Sequence, residues 1–319
     1  MKTKMIDLQK FAEGDTPQGS GTPTTDSPTV GNARSFQSQF KEMLNAVFGA
    51  RSVFGDFFAN GLEVLDGVSD NEIAFRVKTT DIPVAVGGGY DTNENNVFGD
   101  GSTGSSRFGD MTEIIYKDAS VPYTGGWTIH EGIDRYTVNN NFEQALVDRQ
   151  EQQAIAKTEW YNKTHGKFIS DNAGQTETLA SYTDANILKL FNALTKYFVD
   201  NQIVGTKVIK VAPDLYNALV DHALTTTGKR SAANVDDNGI VRFKGFTIEQ
   251  IPTAYFQTGE IAYAYVTGIG KAFTGITTAR TIEATAFDGV EIQAAAKTGE
   301  YILPINKKAV VKVKLGTGA

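Results

Sequence analysis

The sequence predicts an α+β protein built from more than one module. Its 319 residues exceed the roughly 100–150 residues of a common single domain. Residues 72–78, EIAFRVK, alternate apolar and polar side chains as a half-buried strand does, whereas residues 183–275 mix helical and strand patterns. A strand-rich region followed by a region in which helices and strands alternate indicates the mixed class.

The first 35 residues predict a flexible arm. Residues 12–35 contain Pro17, Pro23 and Pro28 and almost no large apolar side chain. Burial therefore cannot repay the conformational entropy that ordering would cost. From Phe36 onward, apolar residues recur at the spacing of an amphipathic helix, so order is expected to begin there.

A hairpin with an unusually long tip is expected next. Residues 112–123 form a second alternating segment after residues 72–78. Between the two lies a glycine-rich tip, residues 87–110, with the sequence GGGYDTNENNVFGDGSTGSSRFGD. Hairpin loops usually have two to five residues, and much longer loops inside a domain are usually functional or disordered.

A long polar helix follows the hairpin, at about residues 140–172. Asn140 and Glu143 have the spacing of a capping box, and Gly174 is placed to end the helix. About 30 residues give a helix roughly 45 Å long, and its middle, DRQEQQ, is wholly polar. We expect such a helix to lie across a surface or along a neighbour.

The remainder of the chain predicts an α/β module and closing strands. Residues 183–200 carry a helical apolar stripe, and Pro213 stands where a second helix should begin. Three closing strands are expected, with breaks at Asp288-Gly289 and at Thr298-Gly299. The last of these strands is basic, through Lys307, Lys308, Lys312 and Lys314. Lysines alternating with apolar residues fit a solvent-facing edge strand better than a nucleic-acid surface, which remains the alternative.

No constellation of residues predicts catalysis, a cofactor or a metal. The chain has no cysteine, and its three histidines, His130, His165 and His222, lie in different predicted elements. Neither Gly-Lys pair, at residues 228–229 or 270–271, completes a phosphate-binding loop. The segment NVDDNGIV resembles the start of a calcium loop but has Gly245 where the bidentate Glu should stand, so a turn between strands is expected.

Net charge and hydropathy limit which classes of partner, nucleic acid or membrane, the chain is expected to bind. The net charge of −7 argues against neutralising nucleic-acid phosphates as the main task. No apolar run approaches the roughly 20 residues that span a bilayer, and the N-terminus lacks the apolar core of a secretory signal. We therefore expect no membrane partner, and the absence of cysteine suits assembly in a cytoplasm.

The order of these parts resembles the major capsid proteins of tailed bacteriophages with the HK97-type fold. The resemblance covers roughly residues 36–315. It is supported by the character of three segments, KVIKVAPDLYNALV, FKGFTIEQIP and GVEIQAAAKTGEYILPINKKAVVKVKL. The N-terminal MIDLQKFAEG is also similar to the starts of capsid and scaffold proteins in phages of Gram-positive hosts.

The resemblance implies a domain organisation. Residues 72–124 would form the extended loop that reaches over a neighbouring subunit, and the helix near 140–172 would be the spine of a peripheral domain. Residues 183–275 would form the axial domain. The peripheral domain would comprise 36–71, 125–182 and 276–319, and the loop's inter-subunit contacts would be Val97, Phe98, Arg107 and Phe108.

The resemblance also implies function and partners. Identical chains, as hexamers and pentamers, would build an icosahedral shell in the host cytoplasm and remain in the virion around double-stranded DNA, which they would bind without sequence specificity. A separately encoded scaffolding protein and a portal protein would be the other partners. Covalent crosslinking of neighbours is not expected, because the lysines of the hairpin, Lys78 and Lys117, lie on its stems and its tip has only Arg107.

Three alternatives remain open. An encapsulin-type compartment shares the fold but encloses protein cargo. Another phage structural protein, such as a tail-tube subunit, fits the long polar helix less well. An enzyme with its active site in residues 183–275 lacks the residues that catalysis needs.

Overall fold

A computed structural model describes residues 52–65, 73–80, 111–138, 142–222, 233–236 and 239–316, together with residues 82, 84, 86, 89, 90, 92, 107 and 108. The predicted arm, the helix predicted from Phe36 and the capping residue Asn140 lie outside these residues. The chain divides into two compact units, a smaller one at 70–123 and a larger one made of 1–69 and 124–319.

The smaller unit contains the predicted hairpin. Strands β2 (Ile73–Thr79) and β3 (Lys117–Pro122) pair antiparallel, with Thr79 opposite Lys117. The second strand begins five residues later than its alternation predicts, because β2 ends at Thr79 and leaves residues 111–116 without a partner in this ladder.

The larger unit contains two sheets. The first has four strands in the order β1-β11-β12-β4, and the second has seven in the order β5-β13-β10-β6-β9-β8-β7. The strands are β1 (Phe58–Leu65), β4 (Gly125–Asp134), β5 (Gln175–Leu179), β6 (Lys207–Val211), β7 (Ala233–Asp236), β8 (Gly239–Phe243), β9 (Phe246–Gln250), β10 (Glu260–Val266), β11 (Gly270–Glu283), β12 (Gly289–Ile302) and β13 (Val310–Leu315).

Four α-helices accompany these strands in the described residues: α1 (Arg135–Val138), α2 (Phe142–Asp171), α3 (Asp184–Asp200) and α4 (Pro213–Val220). Two 3₁₀ helices, Thr253–Tyr255 and Pro304–Ala309, connect strands. The predicted apolar stripe of α3 is buried, and Pro213 occupies the first turn of α4 as its fixed φ angle favours. Strands β7 and β8, on either side of the turn expected at NVDDNGIV, pair antiparallel, and residues 237 and 238 between them lie outside the described residues.

Helix α2 is the longest element, and its buried face is largely polar. The buried residues recur at helical spacing and are Gln150, Gln153, Ala154, Lys157, Thr158, Tyr161, Asn162, His165, Gly166, Ile169 and Ser170. The sequence predicts a helix that lies across a surface or along a neighbour. One stripe of α2 is buried within the larger unit, while residues on its other side, such as Glu143 and Lys163, are exposed, which fits a helix lying across a surface.

Two predictions about the closing strands are wrong. The predicted break at Thr298-Gly299 lies inside β12, where the two residues pair with Thr274 and Phe273. The chain turns instead through the 3₁₀ helix 304–309, where Pro304 ends the strand.

The basic strand β13 is likewise not an edge strand. It lies between β10 and β5, and the side chain of Lys312 is only 21% exposed. The edge prediction failed because β5, the parallel partner of β13, is more than a hundred residues earlier in the sequence. Residues 276–319 therefore contribute to both sheets, while the division into peripheral and axial domains stays a prediction.

Gly166 allows α2 to pack closely against the 3₁₀ helix 253–255. A Cβ atom at this position would stand 2.2 Å from the carbonyl oxygen of Tyr255. Alanine normally stabilises a helix by about 1 kcal/mol relative to glycine. For Gly166→Ala we expect the opposite sign, a net loss of about 1–3 kcal/mol, because backbone must move to admit the methyl group.

Urea unfolding of the full chain measures this loss. The matched control is Lys163→Ala on the exposed side of the same helix, which should change the free energy of unfolding by less than about 0.5 kcal/mol. A Gly166→Ala variant as stable as the parent would contradict the proposed close approach.

Candidate assembly surfaces

Exposed apolar side chains are concentrated in the smaller unit. Sixteen large apolar side chains are exposed in the described residues, and nine of them belong to this unit although it is much the shorter. We call these nine the apolar band: Ile73, Val84, Val86, Tyr90, Phe108, Met111, Ile114, Ile115 and Tyr116. Exposed groups of this number and size present on the order of 1,000 Å² of apolar surface, comparable to the roughly 800 Å² that each partner buries in a standard interface.

The predicted contact residues fall partly within the apolar band. Phe108 is 83% exposed, and its ring meets that of Tyr90 edge-on with 5.0 Å between centroids. The guanidinium of Arg107 lies 6.0 Å from the centroid of the same tyrosine ring. Val97 and Phe98 lie outside the described residues, and the role of all four residues as contacts between copies stays a prediction.

Sequence reasoning missed most of the apolar band. Met111 is 93% exposed, and Ile114, Ile115 and Tyr116 are each more than half exposed. The sequence predicts a strand there, with an imperfect alternation that places Ile114 and Tyr116 on one face. The available signal was the adjacency of Ile114 and Ile115, because neighbouring strand residues point to opposite faces and both cannot be buried by one.

In the larger unit, α2 is held against β4 by a charged contact near its N-terminal end. Arg149 donates two hydrogen bonds to the carboxylate of Glu131, at 2.7 and 2.6 Å, and Gln153 donates a third at 2.6 Å. The hydrogen bond from Arg149 is the main cause that lowers the pKa of Glu131. This carboxylate therefore stays ionised and orients the helix on the strand.

The middle of α2 meets β4 through aromatic and cationic groups. The indole of Trp127 donates a 3.1 Å hydrogen bond to the hydroxyl of Tyr161. The ammonium of Lys157 lies 4.0 Å from the centroid of the Trp127 ring, an arrangement that favours the cation. Burial nevertheless lowers the pKa of Lys157 to about 7, against the opposing influence of Glu131.

A buried histidine and carboxyl group come together one turn further along α2. Nε2 of His165 lies 3.6 Å from Oε1 of Glu300 on β12, and the ring of Phe58 packs on the imidazole. Burial lowers the pKa of His165 to about 3 and raises that of Glu300 to about 7. Because the imidazole is neutral at pH 7, this contact is not a salt bridge.

The C-terminal end of α2 is held by the seven-stranded sheet. Ser170 donates a 2.8 Å hydrogen bond to Glu260 on β10, and Tyr263 donates a 2.6 Å bond to the other oxygen of that carboxylate. Lys312 on β13 donates to the backbone oxygen of Ser170 at 3.2 Å and lies 3.4 Å from Glu260. Helix α2 is therefore fixed to both sheets of the larger unit.

The three histidines occupy separate environments. His130 is exposed on β4 and lies 3.1 Å from Glu291, whereas His222 contacts the backbone oxygen of Asp184 at 3.2 Å. In the described part of the chain, no group of three or more metal-binding side chains is present. No helix among the described residues has the length and apolar character needed to cross a bilayer.

Comparisons with known proteins found likeness in structure but not in sequence. No protein-family model matches the chain, and no curated protein matches it. A chain from the capsid structure of cyanophage P-SCSP1u superposes with a TM-score of 0.60 and 11% identity, over 84% of this chain and 89% of that one. A chain from the mature capsid of bacteriophage PhiM1 gives 0.58 and 11%, over 96% and 94%. A chain of Mycobacterium phage Che8 gives 0.53 and 12%, over 96% and 99%.

The buried Glu300 predicts an unusual dependence of stability on pH. Its pKa is raised in the folded chain, so the folded state binds more protons than the unfolded state between about pH 4.5 and 7. The stability that Glu300 contributes is therefore fully present below about pH 4.5 and is lost as the pH rises from there to about 7. The Glu300→Gln variant should lack this loss, which amounts to roughly 3 kcal/mol.

The measurement is urea unfolding of both chains at pH 5, 6, 7 and 8. His165 is present in each chain, so its own titration cancels in the difference. Glu143→Gln, at an exposed position on the same helix, should leave the pH profile of the parent unchanged. Parallel profiles for the parent and Glu300→Gln would show that the carboxyl is not buried as described.

Proposed function

Because the chain has the HK97-type capsid fold that the sequence predicts, we propose that it is the major capsid protein of a tailed bacteriophage. Its role is structural: identical copies tile a closed icosahedral shell. The observation that carries this proposal is the apolar band of the smaller unit. Large exposed apolar surfaces on a chain mark interaction sites, and this short unit exposes nine large apolar side chains.

The smaller unit supplies the contacts between copies. Residues 72–124 act as the extended loop, with Arg107 and Phe108 and the undescribed Val97 and Phe98 among its contact residues. Helix α2 is the spine of the peripheral domain, and residues 183–275 form the axial domain. Many such contacts, individually weak, add up over a symmetric assembly.

The partners of this subunit follow from the same role. Copies assemble as hexamers and pentamers in the host cytoplasm, with a separate scaffolding protein and a portal, and remain in the virion. The shell encloses double-stranded DNA without reading its sequence, which suits a net charge of −7 because tight binding is not needed. Shells that contained protein cargo and no DNA would identify an encapsulin-type compartment instead.

Replacement of three exposed members of the apolar band tests this function. The triple variant combines Phe108→Ser, Met111→Ser and Ile115→Ser. We expect it to fold with an unchanged unfolding midpoint and to form no closed shells. The reason is that these side chains are solvated in the isolated chain and buried only between copies. Light scattering and negative-stain electron microscopy measure assembly, and nuclease-protected DNA identifies the contents.

The matched control changes three exposed apolar residues of the larger unit, Tyr136→Ser, Val204→Ser and Ile305→Ser. This variant should assemble as the parent does. Normal shells from the triple variant of the apolar band would refute its assigned role.

A further inference from the structure

One edge of the four-stranded sheet, strand β4, has none of the usual features that prevent another strand from pairing with it. Strand β4 lies at the end of the sheet order, with β12 as its strand neighbour in the described residues. Antiparallel pairing directs the N–H and C=O groups of every second residue away from the partner, so about half of the ten residues of β4 present them at the edge. Exposed edges are usually blunted by lysine, proline or a bulge. The sequence GGWTIHEGID contains neither residue, and its ladder with β12 has no break in register.

The other sheet edges are less suited to accept a strand. Strand β1 is interrupted by a register shift between Phe58 and Leu62, and Gly61 in this interval has a φ of 64°. Strand β5 has five residues and β7 has four. Among the described edges, β4 is therefore the longest regular one.

Residues 111–116, MTEIIY, precede β3 and are not part of a strand in this structure. All six residues are exposed, and no ladder in the described part of the chain includes them. They continue directly into β3, and isoleucine and tyrosine favour extended backbone. Water can satisfy their exposed N–H and C=O groups, so these groups can pair with an added strand, which would also cover the apolar side chains.

The side chains of β4 fit an added strand that is apolar at alternate positions. Ile129 and Ile133 pack on the small cluster that contains Ile292 of β12 and Leu146 of α2, yet both remain partly exposed at the edge. A neighbouring strand would cover them with every second side chain, through Met111 and Ile115 or through Ile114 and Tyr116.

We propose that residues 111–116 of a second copy of this chain add to the edge of β4 as a fifth strand. This inference rests on the proposed function, since it names the surface on which the extended loop of one subunit docks. Backbone hydrogen bonds join the two segments, and the alternate apolar side chains fix the register, as in other strand additions. The resulting sheet is continuous across two subunits.

Cysteine pairing between copies tests the proposal, and the chain has no cysteine of its own to interfere. One copy carries Thr112→Cys or Glu113→Cys, and the other carries Thr128→Cys or His130→Cys on the exposed face of β4. Shells are assembled from each mixture, with the scaffolding protein if assembly needs it, then oxidised and analysed on a non-reducing gel. Thr178→Cys on the edge strand β5 is the matched control. All five positions are exposed.

Strand addition predicts heterodimers at β4 at least five-fold above the β5 control. It also predicts a strong preference for either residue 112 or residue 113, because adjacent strand residues point to opposite faces. Two positions on β4 are used so that failure of one variant to assemble leaves the other informative.

Intact shells without this excess, or with equal yields at residues 112 and 113, would overturn the strand addition while leaving the proposed function in place. A chain that carries both cysteines in one copy serves as a further test. If disulfides formed only within that chain and not between copies, residues 111–116 would pair with β4 of their own copy, and the proposed strand addition would be overturned. Absence of shells from the unsubstituted chain, even with a scaffold, would remove the proposed function and this inference together.

Discussion

The larger unit depends on the burial of a polar stripe along α2. Leaving a buried polar group without a partner costs about 1–3 kcal/mol, so each such side chain restricts where the helix can lie. Glu131 on β4 and Glu260 on β10 bind opposite ends of α2, through Arg149 and Ser170. Because one rigid helix makes both contacts, the two sheets are fixed to the same element, and neither can shift along the helix without breaking hydrogen bonds.

The two units differ in whether their large side chains find contacts within the chain. In the larger unit the aromatic core and the polar stripe find partners within the chain, as Phe191 with Phe243 and Trp127 with Tyr161 illustrate. In the smaller unit, side chains such as Met111 and Ile115 are exposed to solvent. In the proposed function, a chain whose larger unit is packed internally and whose smaller unit exposes apolar side chains is suited to assemble after it has folded.

The sequence predicted the elements better than their environments. The stripe of α3 and the start of α4 at Pro213 are confirmed, because helical periodicity and local turn chemistry are contained in a few consecutive residues. The α+β class and the HK97-type fold, which were predicted from the order of the parts, are confirmed as well. The central position of β13 was missed because it depends on pairing with β5, which local pattern does not encode.

The apolar band was predicted only in part, because a local sequence pattern does not show which partner a side chain will meet. A buried polar residue such as Gln153 or Lys157 looks like a surface residue until its partner on another element is known. Ile114 and Ile115 look like core residues, because hydrophobicity does not record whether the partner belongs to the same chain. Phe108, predicted as a contact between copies from the family resemblance, is exposed in the structure, and its role as a contact stays a prediction.

The most informative measurement is hydrogen–deuterium exchange, compared between the isolated chain and the proposed shell. Amides of α2 and of the sheets in the larger unit should be protected in both states, whereas amides of residues 111–116 should exchange rapidly in the isolated chain and become protected in the shell. Rapid exchange of residues 111–116 in a closed shell, or their protection in the isolated subunit, would contradict this prediction.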